Sequence, residues 1–167
     1  AAEVLARIGF DVGGWSRTRK HVEGIGSYAG EAELDAFLAR TDILVALMPL
    51  TPDTAAMLNR KLFQRLARDG RLGAPVLINA GRGGLQDEAD ILACLDHGTL
   101  GGATLDVFHT EPLPRESPFW RHPKVTVTPH NAADSDAEAI SNYIVGQIGR
   151  YEAGQPLENV VDRERGY

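Results

Sequence analysis

The sequence predicts an α/β fold, a parallel sheet with helices packed on both of its faces. Three observations point there. Short apolar runs alternate with amphipathic stretches of helical spacing, the runs are too short to be buried helices, and Gly or Pro marks most junctions.

Along the chain, AAEVLARIGF (1–10) spaces Val4, Leu5 and Ile8 as a helix and stops at Gly9. No initiator Met or capping residue precedes it, so the expectation is the C-terminal part of a longer protein, beginning inside a helix. DVGGW (11–15) predicts a short strand and EAELDAFLART (31–41) a helix. DILVALMPL (42–50) is a continuous apolar run of the kind buried on both faces of a sheet, broken by Thr51-Pro52. A helical region is expected from Pro52 to Arg68, jointed near Asn59, ahead of the loop DGRLGAP (69–75). The pattern then repeats. PVLINAG (75–81) predicts a strand, QDEADILACLDHG (86–98) a helix with acids in its first turn and a Gly stop, and GGATLDVF (101–108) another strand. HTEPLPRESPFWRHP (109–123) is irregular but restricted by Pro112, Pro114, Pro118 and Pro123. KVTVTPH (124–130) is the last strand and DSDAEAISNYIVGQIGRYEAG (134–154) a long helix. The tail QPLENVVDRERGY (155–167) is expected to lie back over the domain surface.

Composition narrows the function. A length of 167 residues with 43% hydrophobic content suits one globular domain. A net charge of −6 argues against a surface that tracks nucleic-acid phosphates, which requires a basic face. Cys94 alone can form neither an internal disulfide framework nor a structural zinc site, and its Leu- and Ala-rich helix makes it a small core residue. No apolar run reaches the roughly 18–20 residues of a membrane span. The expectation is a soluble, cytoplasmic protein with no membrane or nucleic-acid partner and no metal.

In an open parallel sheet, ligands bind beyond the carboxyl ends of the strands. The residues found there are Ser16-Arg17-Thr18-Arg19-Lys20, then Pro49 to Thr54, Arg82, Asp106 with Glu111, and His130. A guanidinium matches a carboxylate bidentately, and a histidine beside a carboxylate moves protons near neutral pH. Each residue alone has a plainer reading: His130 as a hydrogen-bonded surface histidine, Arg82 as a carbonyl cap, Glu111 as a solvated loop acid. Asp106 ends an apolar strand and therefore needs partners. Their joint placement is what points to a site.

INAGRGGLQDEADILACLDHGTLGGATLDVFHTEPLP followed by HPKVTVTPHNAA resembles the D-isomer-specific 2-hydroxyacid dehydrogenases. The resemblance rests on an N-x-x-R-G strand end, an L-D-V-F-x-x-E-P-L-P segment and T-P-H. It covers nearly the whole chain, LMPLTPDT included. Within the family, WSRTRK, ESPFW and VDRERGY are most similar to the glyoxylate/hydroxypyruvate reductases. The resemblance implies a Rossmann-type doubly wound sheet, its nucleotide-binding domain lacking the first strand and the substrate domain. Residues 1–133 would be the partial dinucleotide-binding domain, and 134–167 a helix crossing toward the missing substrate domain, with the tail. It implies His130 as general acid, Glu111 against its imidazole favouring the protonated form, and Arg82 clamping the carboxylate and carbonyl oxygen of a small 2-ketoacid. Asp106 would accept a hydrogen bond from the nicotinamide carboxamide, with Ala80, Ala132, Pro49 and Thr54 near the cofactor. A homodimer is also implied.

NAD enzymes commonly place an acid at the end of the second strand, whereas a 2′-phosphate needs cations there. Ser16, Arg17, Arg19 and Lys20 occupy that region with no acid among them, so NADP is expected over NAD, with Arg17 and Arg19 as the phosphate ligands. Some features depart from the family pattern. The glycine fingerprint G-x-G-x-x-G is absent and expected upstream, leaving a gap between the strand at 11–15 and DILVALM. RLARDGRLGAP (65–75) is longer than usual, and Gln86 and Asn131 stand where apolar residues are common. The competing class is a dinucleotide-sensing corepressor scaffold of the same fold. A Rossmann methyltransferase has no use for Arg82, Glu111 and His130 together.

Overall fold

The computed structural model describes residues 1–163. In chain order the elements are α1 (Ala2–Arg7), β1 (Gly13–Ser16), β2 (Gly26–Ala29), α2 (Leu34–Ala39), β3 (Ile43–Ala46), α3 (Arg60–Phe63), β4 (Val76–Asn79), α4 (Glu88–Asp96), β5 (Gly102–Leu105), β6 (Val125–Val127) and α5 (Ala137–Glu152). All strand pairing is parallel, in two sheets, β1-β2 and β3-β4-β5-β6. The discontinuity between β1 and β3 is the one expected. In the larger sheet Ala46 lies opposite Asn79, Asn79 opposite Leu105, and Leu105 opposite Val127. The four strands therefore finish level, and the residues following each emerge along one edge.

The core lies on one face of this sheet. Leu44, Ala46, Leu77, Ala103 and Leu105 point into it and meet Leu34 and Leu38 of α2, Leu62 and Phe63 of α3, and Ile91, Cys94 and Leu95 of α4. Burying each such Leu or Phe contributes about 1.5–3 kcal/mol. Cys94 is a buried core residue, as expected. The opposite face corrects the expectation of burial on both sides: Ile43 and Val45 of β3 stay 38% and 40% exposed. The cause is that α1 and α5 contribute no buried residue, so neither helix covers them.

Two further expectations are corrected. The helix predicted over Pro52–Arg68 contracts to α3, because backbone groups of residues 56–58 pair with another segment. Ala56 and Leu58 donate to the carbonyls of Gly84 and Leu85, and Asp87 donates to that of Leu58. With those donors and acceptors committed, the regular helix begins only after Asn59, whose Oδ1 caps Leu62 N at 3.2 Å. β2 has no counterpart in the sequence reading, since GSYA between glycine-rich turns lacks an apolar period. The long helix starts at Ala137 rather than 134, where Asp136 Oδ1 caps Glu138 and Ala139. The tail returns along α5 through Glu158 and Asn159, which bond Gln147 and Tyr143; residues 164–167 lie outside the described part.

Candidate active site

Three neighbouring strands deliver the site. At the end of β4, Asn79 is fully buried; its Oδ1 accepts from Gly81 N at 3.1 Å and its Nδ2 donates to Arg82 O at 3.2 Å. That closes a tight turn and turns Arg82 outward in extended backbone, exposed, with one guanidinium N–H on Gly81 O at 2.7 Å. The glycines around Arg82 sit where a side chain would not fit. A Cβ on Gly83 would sit 1.9 Å from Phe108 O, and one on Gly84 would sit 2.7 Å from the Leu50 side chain. They let the protein's own loops touch.

At the end of β5, Asp106 is only 4% exposed. Its Oδ1 accepts from Thr128 Oγ1 at 2.5 Å and Asn131 N at 3.0 Å, and its Oδ2 accepts from Ala132 N at 3.0 Å. Burial pushes its pKa up, but the hydrogen bonds from Thr128, Ala132 and Asn131 and the nearby His130 outweigh that and hold it below the ordinary value. The carboxylate thus fastens the segment that carries His130. That histidine adopts φ 55°, a left-handed conformation that non-glycine residues take only when their surroundings impose it.

His130 Nδ1 lies 2.7 Å from Glu111 Oε2, and Glu111 Oε1 accepts from Phe108 N at 2.9 Å. The bond to His130, followed by the one from Phe108, holds the Glu111 carboxyl below its ordinary pKa. A carboxylate against Nδ1 fixes the proton on that nitrogen and leaves Nε2 for exchange with a substrate. Arg82, Asp106 and His130 follow adjacent strands along the same edge.

The remaining predicted residues divide between this edge and the smaller sheet. Ala80 N donates to Ala46 O at 3.1 Å, extending the β3–β4 ladder. Thr54 Oγ1 donates to Pro49 O at 2.8 Å and accepts from Thr51 N, closing the loop after β3. Ser16 ends β1 on the smaller sheet, and Arg17, Arg19 and Lys20 follow it. Ser16 Oγ bonds Thr18 O, and Arg19 donates to Ser27 O at 2.6 Å and to Glu33 Oε1. The expectation of a region without an acid is corrected here: the chain folds Glu33 back onto Arg19, anchored by Ala29 N at 2.7 Å. The bond from Ala29 and the Arg19 guanidinium lower the Glu33 pKa. Sequence reasoning missed Glu33, Thr128 and the role of Asn79. Asn79 carried the same signal as Asp106, a polar side chain closing an apolar strand.

The profile of the family described as D-isomer specific 2-hydroxyacid dehydrogenase, NAD binding domain, matches residues 1–132. The chain belongs to that family. Among curated relatives, glyoxylate/hydroxypyruvate reductase A of Salmonella newport is 50% identical over 167 residues, 99% of this dehydrogenase-family chain and 52% of that protein. A crystal structure of an NADPH-dependent glyoxylate/hydroxypyruvate reductase from Sinorhizobium meliloti, in complex with NADP and sulfate, matches with TM-score 0.97 and 58% identity, over 99% of this chain and 52% of that one. A probable 2-hydroxyacid dehydrogenase from Rhizobium etli, in complex with NADP, HEPES and L(+)-tartaric acid, matches with TM-score 0.93 and 52% identity over the same shares. This family member spans about half the length of these relatives.

Proposed function

We propose that this chain supplies the cofactor-binding and proton-transfer half of an NADPH-dependent reductase acting on a small 2-ketoacid of the glyoxylate or hydroxypyruvate type. The observation that carries the reading is the His130–Glu111 pair, 2.7 Å apart on the strand edge that also presents Arg82. The residues present suit the cofactor. Arg17, Arg19 and Lys20 give the region after β1 the cations a 2′-phosphate requires, and Arg19 keeps further N–H donors beyond those spent on Ser27 and Glu33. Ser16 would join them; Pro49, Thr54, Ala80, Asp106 and Ala132 would border the nicotinamide half. When bound, the cofactor supplies the hydride.

The chain's own residues do the rest. Arg82 binds the substrate carboxylate and orients the carbonyl, which lowers the entropic part of the barrier. His130 gives its Nε2 proton to the carbonyl oxygen while Glu111 keeps Nδ1 protonated and stabilises the charged imidazole; in the reverse direction Nε2 takes the proton back. Residues 1–133 form the dinucleotide-binding part, and the segment from 134 leads toward a substrate-binding part. Homodimeric assembly and a cytoplasmic location complete the reading; among the described residues no helix is long and apolar enough to cross a membrane.

The test is a turnover panel on the full-length protein carrying this sequence: glyoxylate, hydroxypyruvate and pyruvate, each with NADPH and NADH. Higher kcat/KM with NADPH and either of the first two substrates is expected. Absence of turnover with every 2-ketoacid, alongside intact dinucleotide binding, would replace this reading with that of a sensing scaffold.

A further inference from the structure

We propose that Gln86 is a positioning residue that fixes the distance between the Arg82 turn and the loop carrying Glu111 and His130. The inference rests on the roles just assigned to those three residues. Gln86 and Asn79 are both fully buried, side by side beneath the strand edge. Gln86 Nε2 donates to Val107 O at 3.0 Å, and Gln86 Oε1 accepts from Asn79 Nδ2 at 2.8 Å. Asn79 then completes the turn through Arg82 O and Gly81 N.

The orientation of both amides is forced. Val107 O can only accept and Gly81 N can only donate, so one arrangement of the two side chains satisfies every bond. An unbroken line of hydrogen bonds therefore joins the end of β5 to the turn after β4. Gln86 also acts through its backbone: its carbonyl lies 2.7 Å from His109 Nε2, two residues before Glu111. The Gly83–Phe108 contact brings the same two loops together at their surface. An apolar side chain would fill this interior position without needing partners. What it could not do is cross-link the two loops, and buried amides carry that directional constraint because each unmet bond is costly.

The experiment uses the full-length protein and the variants Gln86→Leu and Gln86→Asn. The first keeps the volume and loses both bonds; the second keeps an amide too short to span Val107 and Asn79. Displacing Arg82 by about an ångström should lower kcat/KM for glyoxylate on the order of a hundredfold, chiefly through a higher KM. The Kd for NADPH, measured by fluorescence, should stay unchanged. Leu38→Ala, buried in the core on α2 and bonded to neither loop, should lower Tm without raising KM. An unchanged KM in whichever Gln86 variant folds, or a KM rise matched by Leu38→Ala, would overturn the proposal. Arg82→Lys separates the two levels: if it leaves KM unchanged, the clamp assignment itself fails, whereas a raised KM there with wild-type KM in the Gln86 variants removes only the positioning role.

Discussion

His130 holds a backbone conformation that costs an L-residue about 1–2 kcal/mol, and Asp106 offsets it by taking the amides of the next two residues. Asp106→Asn presents one acceptor where three donors converge, so its amide N–H₂ must face a donor. It should cost about 1–3 kcal/mol in urea unfolding and lower kcat as the His130 segment loosens. His130→Gln should reduce kcat about 10²–10⁴-fold with NADPH affinity retained, as stopped-flow and binding titrations would read. The two lowered carboxyl pKa values give a signed expectation. The ordinary values are 3.8 for Asp106 and 4.5 for Glu111, and each folded-state value lies below its own. Each contribution to stability is therefore fully present above the ordinary value and lost as pH falls through the folded one. As pH falls below about 4.5, Tm should fall less steeply in Asp106→Asn and Glu111→Gln than in the parent. Equal slopes in all three would contradict this.

For the elements, the loop contacts matter more than strand or helix propensity. Gly83→Ala would place a methyl 1.9 Å from a carbonyl oxygen of the backbone, which cannot swing aside as a side chain would. The strain should be about 1–3 kcal/mol or more by urea unfolding, and it would push the Arg82 turn away from the Glu111 loop. The succession of β3, β4, β5 and β6 along the chain, and the location of Arg82, Asp106, Glu111 and His130 past their ends, were legible because apolar runs and their polar endings are local signals. The failure over 52–68 has a different origin. Leu58 is claimed by Gln86, 28 positions away along the chain, and no window of periodicity reports such a pairing. Glu33 was invisible for the same reason: it reaches Arg19 across 14 positions, so a scan for acids beside the basic cluster passes over it. The exposed face of β3 shows the converse limit, since a continuous apolar run says a surface can be buried but not what buries it.

For the whole molecule, that face and α5 define the surface. Ile43 and Val45 of β3 with Leu47 just beyond it, and Ile140, Ile144, Val145 and Ile148 on α5, are large apolar side chains left in contact with water. Exposed apolar side chains in such number promote association. The 167-residue chain alone should bind an apolar dye such as ANS and elute above its monomer mass, both effects weakening when the full-length protein is used. A dye-silent monomer would contradict the arrangement. The division into two hydrogen-bonded sheets carries a thermodynamic consequence. With no strand pairing between them, β1–β2 should open at a lower free energy than β4–β5, and its amides should exchange with deuterium sooner. A dinucleotide gripping Arg17 and Lys20 at one end and the β4–β6 edge at the other would be the tie between two otherwise separate opening events. Saturating NADPH should then slow exchange in both sheets together, merging two protection levels into one.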